Sequence, residues 1–321
     1  MTVASKAAAS AVKSLRSQPW GLAVAVISEG MTEFALDGGA DELDVDSYFE
    51  LGSVTKTMTG LLVADCVVRG EASLDTTIAE ILGDDAGNCG RVKLLDLATH
   101  RSGIPQAPPR EFLDRTKVDR LDPFVSFREA DLLEALRLFD APTPPFTFVY
   151  SNLGFMLLGF LLGRITKTPY VDLIRERIFA PLGMTSTVCG VAPAEARLPG
   201  YEGPLQTGWR SHPLPGAGGV GSNIRDLARY VAACISPPPS MAAAFELALK
   251  VHAPNRGLGW VHRDGIHWHN GGTSGFRSFV AFHSPARSGI ALLANSVGVD
   301  LDSTGFAVMA ELAGNGTPGT S

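Results

Sequence analysis

The sequence predicts the α/β class in its α+β form: an antiparallel sheet flanked by helices, with an all-helical insertion. Three observations carry that expectation. Gly21 to Ile27 is a continuous apolar run bounded by Pro19 and Gly30, the pattern of a strand buried on both faces. Strand-like segments with turn-rich joints recur near the C-terminus, at Gly265 to His269, Arg277 to Phe282 and Ile290 to Ala294. Between these ends, up to about Gly190, helical spacing dominates. The expected division is a sheet domain of residues 1–60 plus 200–321, a helical domain of residues 61–199, and a site in the cleft between them.

Ala4 to Arg16 has helical composition. A second strand near Met31 to Leu36 follows the first across Ser28-Glu29-Gly30, which predicts an antiparallel hairpin. Apolar residues at Val54, Met58, Leu61, Leu62 and Val68 mark a buried helical face that Gly70 stops. Ser73-Leu74-Asp75, Thr77 to Leu82 and Val92 to Thr99 suggest short helical turns. Pro105 to Pro123 reads as a polar surface excursion, and Glu129 to Phe139 as an amphipathic helix. The prolines at 142, 144 and 145 force an extended approach to the next helix, which is almost wholly apolar through Leu161. Pro204 to Gly221 is expected to cross back between domains. Helices at Asp226 to Cys234 and Asp302 to Leu312 complete the pattern.

The chain has 321 residues, 45% hydrophobic and 19% charged, an ordinary balance for a globular protein. A formal net charge of −6 without a Lys/Arg cluster argues against nucleic acid and against an anionic membrane as partners. Phe155 to Gly163 is the greasiest run, but Arg164 and Lys167 end it well short of the roughly 20 residues that span a bilayer. Met1 to Leu15 shows no export pattern, and Cys66, Cys89, Cys189 and Cys234 are scattered without metal spacing. Reduced thiols in the cytosol are therefore expected.

Three segments carry chemistry. Ser53 and Lys56 fall at a helix start one turn apart, so the lysine amine can reach the serine hydroxyl. A serine needs such a neighbour to take its proton, and the free N–H groups of the first helical turn can face an oxyanion forming beside it. Tyr150-Ser151-Asn152 offers a phenol that serves as a base if a cation such as Lys56 touches it. The Asn152 amide either caps the helix or donates to a substrate carbonyl while accepting from the lysine. His269-Asn270-Gly271-Gly272 ends a strand, where glycines let backbone approach a ligand and the Gly272 N–H can supply a second oxyanion donor. His267 and His269 share a strand face, yet no third ligand at metal spacing accompanies them. Gly216 to Gly221 matches a dinucleotide-binding glycine pattern literally, but Pro213 and Pro215 stand where its strand should be, so no cofactor is expected.

Ser53-x-x-Lys56, Tyr150-x-Asn152 and His269-x-Gly271, in this order, resemble the motifs of the serine β-lactamase and penicillin-recognising superfamily, most closely its class C-like branch. Leu97 to Pro105, Pro181 to Thr187 and Gly218 to Ser222 with Asp226-Leu227-Ala228 are similar as well. The resemblance implies a β-lactamase/DD-peptidase-like fold in which Ser53 is the nucleophile, Lys56 and Tyr150 move protons, Asn152 orients substrate, and the N–H groups of Ser53 and Gly272 form the oxyanion hole. The usual lysine of the third motif is His269 here, mostly neutral at pH 7. Members with histidine resemble esterases, aminopeptidases and amidases, which implies short-chain esters ahead of penicillins. The implied partner is a small ester or amide and the implied activity hydrolysis. An acyl transfer to an amine or alcohol acceptor, or an idle sensor domain, would carry the same motifs.

Overall fold

The computed structural model describes residues 2–15, 20–39, 42–108, 125–140, 143–144, 146–190, 198–202, 205–207 and 213–314. A helix α1 (Val3–Leu15) leads into the hairpin β1 (Leu22–Ser28) and β2 (Met31–Asp37). After a short β3 (Phe49–Glu50) come α2 (Thr55–Val68), α3 (Ile78–Leu82), α4 (Leu94–Ala98), α5 (Glu129–Leu138), α6 (Asn152–Thr166) and α7 (Tyr170–Ile174). The chain returns through β4 (Val188–Cys189), β5 (Gly200–Glu202), β6 (Leu205–Thr207), β7 (Val220–Ser222), α8 (Ile224–Ile235) and α9 (Ala242–Leu249). It ends in β8 (Val261–Arg263), β9 (Ile266–Gly272), β10 (Arg277–His283), β11 (Ser288–Ala294) and α10 (Leu301–Gly314).

The main sheet has six strands in the order β2-β1-β11-β10-β9-β8, every pairing antiparallel. Alternation along β1 sends Ala23, Ala25 and Ile27 to one apolar core and Val24 and Val26 to another, which explains its unbroken hydrophobic run. The second core is closed by α1 and α10 through residues such as Ala8, Leu301 and Met309. The first, larger core holds α2, α6, α8 and α9. Burying each of the larger side chains among these, such as Ile27, Leu301 or Met309, contributes roughly 1.5–3 kcal/mol before entropy is counted.

The hairpin, the three C-terminal strands and the helices at α1, α2, α5, α6, α8 and α10 lie where the residue patterns place them. Ser73 to Asp75 forms no helix: Thr76 N–H donates to Ser73 C=O at 3.0 Å in a single turn, and the capping box that Thr77 makes with Glu80 starts the helix there instead. The strands β3, β7 and β8, with two or three residues each, are too short to show a period. The helix α9 follows three prolines and went unforeseen, as did α7. Much of the predicted excursion to Pro123 and part of the Pro204 to Gly221 crossing lie outside the described residues. Among the described residues, no helix is long and apolar enough to cross a membrane.

Candidate active site

Ser53 sits in a tight turn, Gly52–Val54, between β3 and α2. The turn is anchored from the glycine-rich segment: Leu51 N–H donates to Val220 C=O at 3.0 Å and Val220 N–H donates to Thr55 Oγ1 at 3.1 Å. One helical turn on, Lys56 Nζ lies 2.9 Å from Ser53 Oγ and donates to Ala217 C=O at 2.6 Å. Thr59 Oγ1 donates to Gly216 C=O at 2.7 Å. The stretch that mimics a dinucleotide loop thus has a local task, since its carbonyls satisfy the buried polar side chains of α2.

From the other side, Tyr150 donates its hydroxyl to Ser53 Oγ at 2.7 Å. Two proton-carrying groups therefore meet one serine. Lys56 is fully buried, and that desolvation holds its pKa well below the ordinary lysine value. Burial also raises the Tyr150 pKa, against a smaller lowering by the Ser53 hydrogen bond. Lys56 Nζ stands 5.0 Å above the Tyr150 ring, where it does not bond the phenolic oxygen. Both directions favour a neutral amine beside a neutral phenol. The tyrosinate considered from sequence is disfavoured, and a neutral Lys56 amine has a lone pair within 2.9 Å of the Ser53 hydroxyl.

The helix entry holds Tyr150 in place. Ser151, rather than Asn152, caps α6: its Oγ accepts from Gly154 N–H at 2.8 Å and donates to Pro105 C=O at 2.7 Å. Asn152 is the first residue of the helix, and its amide makes no hydrogen bond among the described residues. Its expected bond from Lys56 is absent because the amine turns to Ala217 C=O. His100 is a residue that motif reasoning passed over. Its Nδ1 accepts from Ser151 N–H at 3.0 Å while its ring packs 4.5 Å from that of Tyr150.

The end of β9 presses against the serine turn. Gly52 has φ +49°, and a Cβ added there would lie 2.7 Å from both N and O of Gly272. A Cβ on Gly271 would lie 2.0 Å from Leu51 O and 3.0 Å from Ser53 N. Only glycine permits this contact. It brings the Ser53 and Gly272 backbones to one junction, the place an oxyanion hole needs. His269 is buried, donates Nδ1–H to Asn270 C=O, and has its pKa pushed down to about 3 by burial first and by Lys56 second. It is neutral at pH 7 and lines a cavity with Tyr150. His267 instead stacks on Phe282, 4.7 Å between ring centres, and no group of three metal-ligating side chains occurs among the described residues.

A buried lysine and a phenol converge on a helix-start serine, and comparison with known proteins supplies the lineage. The Beta-lactamase family model matches residues 12–313, and the chain belongs to that family as a serine hydrolase. It is 28% identical to a β-lactamase of Escherichia coli (strain K12), over 86% of this chain and 84% of the relative. It is also 28% identical to the Unguisins hydrolase ungD' of Aspergillus campestris (strain IBT 28561), over 74% of this chain and 50% of that longer relative. The fold matches the crystal structure of a Beta-Lactamase/D-Alanine Carboxypeptidase from Pseudomonas syringae with TM-score 0.80 and 22% identity, over 98% of this chain and 99% of that one.

Proposed function

We propose that the protein hydrolyses an ester or amide of a small metabolite through an acyl-enzyme on Ser53. The observation that carries this reading is the convergence of Lys56 Nζ at 2.9 Å and Tyr150 OH at 2.7 Å on one hydroxyl. Neutral Lys56 takes the Ser53 proton as Oγ bonds the substrate carbonyl carbon, and the N–H groups of Ser53 and Gly272 receive the oxyanion. As the tetrahedral intermediate collapses, the bond to the leaving oxygen or nitrogen breaks and the proton passes to it through Lys56 or Tyr150. Water then repeats the sequence in reverse and frees the acid. Asn152 is assigned to orient the substrate carbonyl, with His269 and Gly271 shaping the wall opposite. The four cysteines are unbridged, which supports a reducing compartment.

Intact-mass spectrometry after incubation with esters, amides and a β-lactam tests the reading directly. A mass increase equal to the acyl group is expected, together with free acid as product. Ser53→Ala should lose both that adduct and labelling by a fluorophosphonate while keeping its circular dichroism spectrum. Labelling that survives in Ser53→Ala overturns the assignment of the nucleophile.

A further inference from the structure

A cavity of about 180 Å³ opens beside the catalytic tyrosine, lined by His100, Tyr150, Arg256, Trp260 and His269 among others. Its charge is unusual. Lys56 lies just behind it with a depressed pKa, while His100 and His269 are pushed down to about 2 and about 3, chiefly by burial. Arg256 is therefore the permanent cation of this wall.

Arg256 is delivered by a tightly tied turn. Its N–H donates to Ala253 C=O at 2.9 Å, its C=O accepts from His252 N–H at 2.9 Å, and Gly259 N–H ties the following residues to Ala98 C=O at 2.9 Å. The guanidinium lies over the Phe148 ring, 4.3 Å from its centre, and is half-buried. Among the described residues it has no carboxylate partner; the attractive ionisable neighbour it does have is the Tyr150 phenol. Holding a guanidinium half out of water without a counter-ion costs stability. Close by, His100 is 4% exposed and packs its ring against Phe148, Tyr150 and Phe155, so it contributes no charge to the cavity. A cation without a carboxylate partner among the described residues thus lines a cavity whose wall includes the tyrosine bonded to Ser53.

We infer that Arg256 is the anion-recognition residue of this site, and that the substrate is an ester or amide bearing a carboxylate that docks against the Arg256 guanidinium. The planar guanidinium suits a carboxylate in two-point contact, and Phe148 holds it flat for that purpose. The charge absent at position 269 is thereby supplied from the turn before β8. This inference rests on the acyl-enzyme reading for its chemistry, although anion binding itself does not require turnover.

The test compares 4-nitrophenyl hemisuccinate with its neutral methyl ester at pH 7. The ratio of their kcat/KM values in the wild-type protein should favour the anion by roughly ten- to a hundredfold, the range of a hydrogen bond to a charged group. That ratio should collapse toward one in Arg256→Gln and be partly kept in Arg256→Lys. A wild-type ratio near one, or a ratio unchanged in Arg256→Gln, overturns the assignment. If neither ester is cleaved, the hydrolase reading is at fault, and Arg256 is judged by titrating the Ser53→Ala protein with glutarate while following Trp260 and Trp268 fluorescence. Glutarate should then bind at least tenfold more weakly when Arg256→Gln is added, with glutaramide weaker than glutarate. Equal binding of the acid and the amide, or no loss on Arg256→Gln, overturns the inference.

Discussion

A lysine that is wholly buried with a serine hydroxyl at 2.9 Å must give up its proton more readily than one in water, and this sets the pH behaviour of the site. In the proposed acyl-enzyme mechanism the reactive form carries neutral Lys56. Activity should therefore rise with pH as Lys56 deprotonates, through a midpoint well below 10.5, and stay level until Tyr150, whose pKa is raised above 10, ionises. Measuring kcat/KM for a neutral ester from pH 5 to 11 checks this; a limb centred near the ordinary lysine value contradicts it. His100 and His269, at about 2 and about 3, should add no limb near neutrality. Lys56→Ala should lower kcat/KM by a factor on the order of 10² or more. At this scale the meeting of Lys56 and Tyr150 at Ser53 was legible, because Ser53 and Lys56 share a helix face and Tyr150 belongs to a recognisable tripeptide. Arg256, His100 and Ala217 C=O were not. The first two are set by loops that close only in three dimensions, and the third is a backbone atom with no signature in residue type.

Where β9 meets the turn before α2, two elements are held closer than any side chain would allow, and the position of the Gly272 N–H depends on it. Gly52→Ala is the sharpest probe, since it adds strain at φ +49° and a methyl 2.7 Å from the Gly272 backbone. The β9 end should retreat by several tenths of an ångström or more, and misplacement on the 1 Å scale costs roughly 10² in rate. The expected outcome is a loss of kcat/KM of at least tenfold with a stability loss of about 1–3 kcal/mol by urea melting. A variant that keeps full activity would remove the Gly52–Gly272 junction from the mechanism. The motif glycines were visible as residues, but their tight partner, Gly52, was not distinguished from an ordinary turn glycine. β1 and α6 were read from long apolar runs bounded by turn residues, and α2 from apolar residues at helical spacing. The helix α9 was missed because the stretch Ala242 to Leu249 is apolar nearly all round and lacks a side-chain cap.

The main sheet separates two cores, and only one of them supports the site. Met309, on α10, is fully buried in the core that α1 shares, whereas Leu61, on α2, is buried in the core that holds Lys56 and the 215–217 turn. Truncating either to alanine removes a similar volume and should cost about 2–5 kcal/mol. With about 2.1 cal/mol/K of unfolding entropy per residue over 321 residues, that corresponds to roughly 3–7 °C in Tm. The two variants should part company in activity. Met309→Ala lies across the sheet from Ser53, and well below its Tm it should keep kcat/KM within about twofold, because distant, uncoupled sites act independently. Leu61→Ala lets α2 shift against α9, and the Lys56 to Ser53 distance shifts with it, so kcat/KM should fall by about tenfold or more at the same temperature. Paired Tm and kcat/KM measurements decide the matter: equal activity losses in the two variants would mean that the sheet transmits strain between its faces, and an unimpaired Leu61→Ala would mean that α2 is positioned by the hydrogen bonds that Lys56 and Thr59 donate to the glycine-rich segment and Thr55 accepts from it, rather than by its packing.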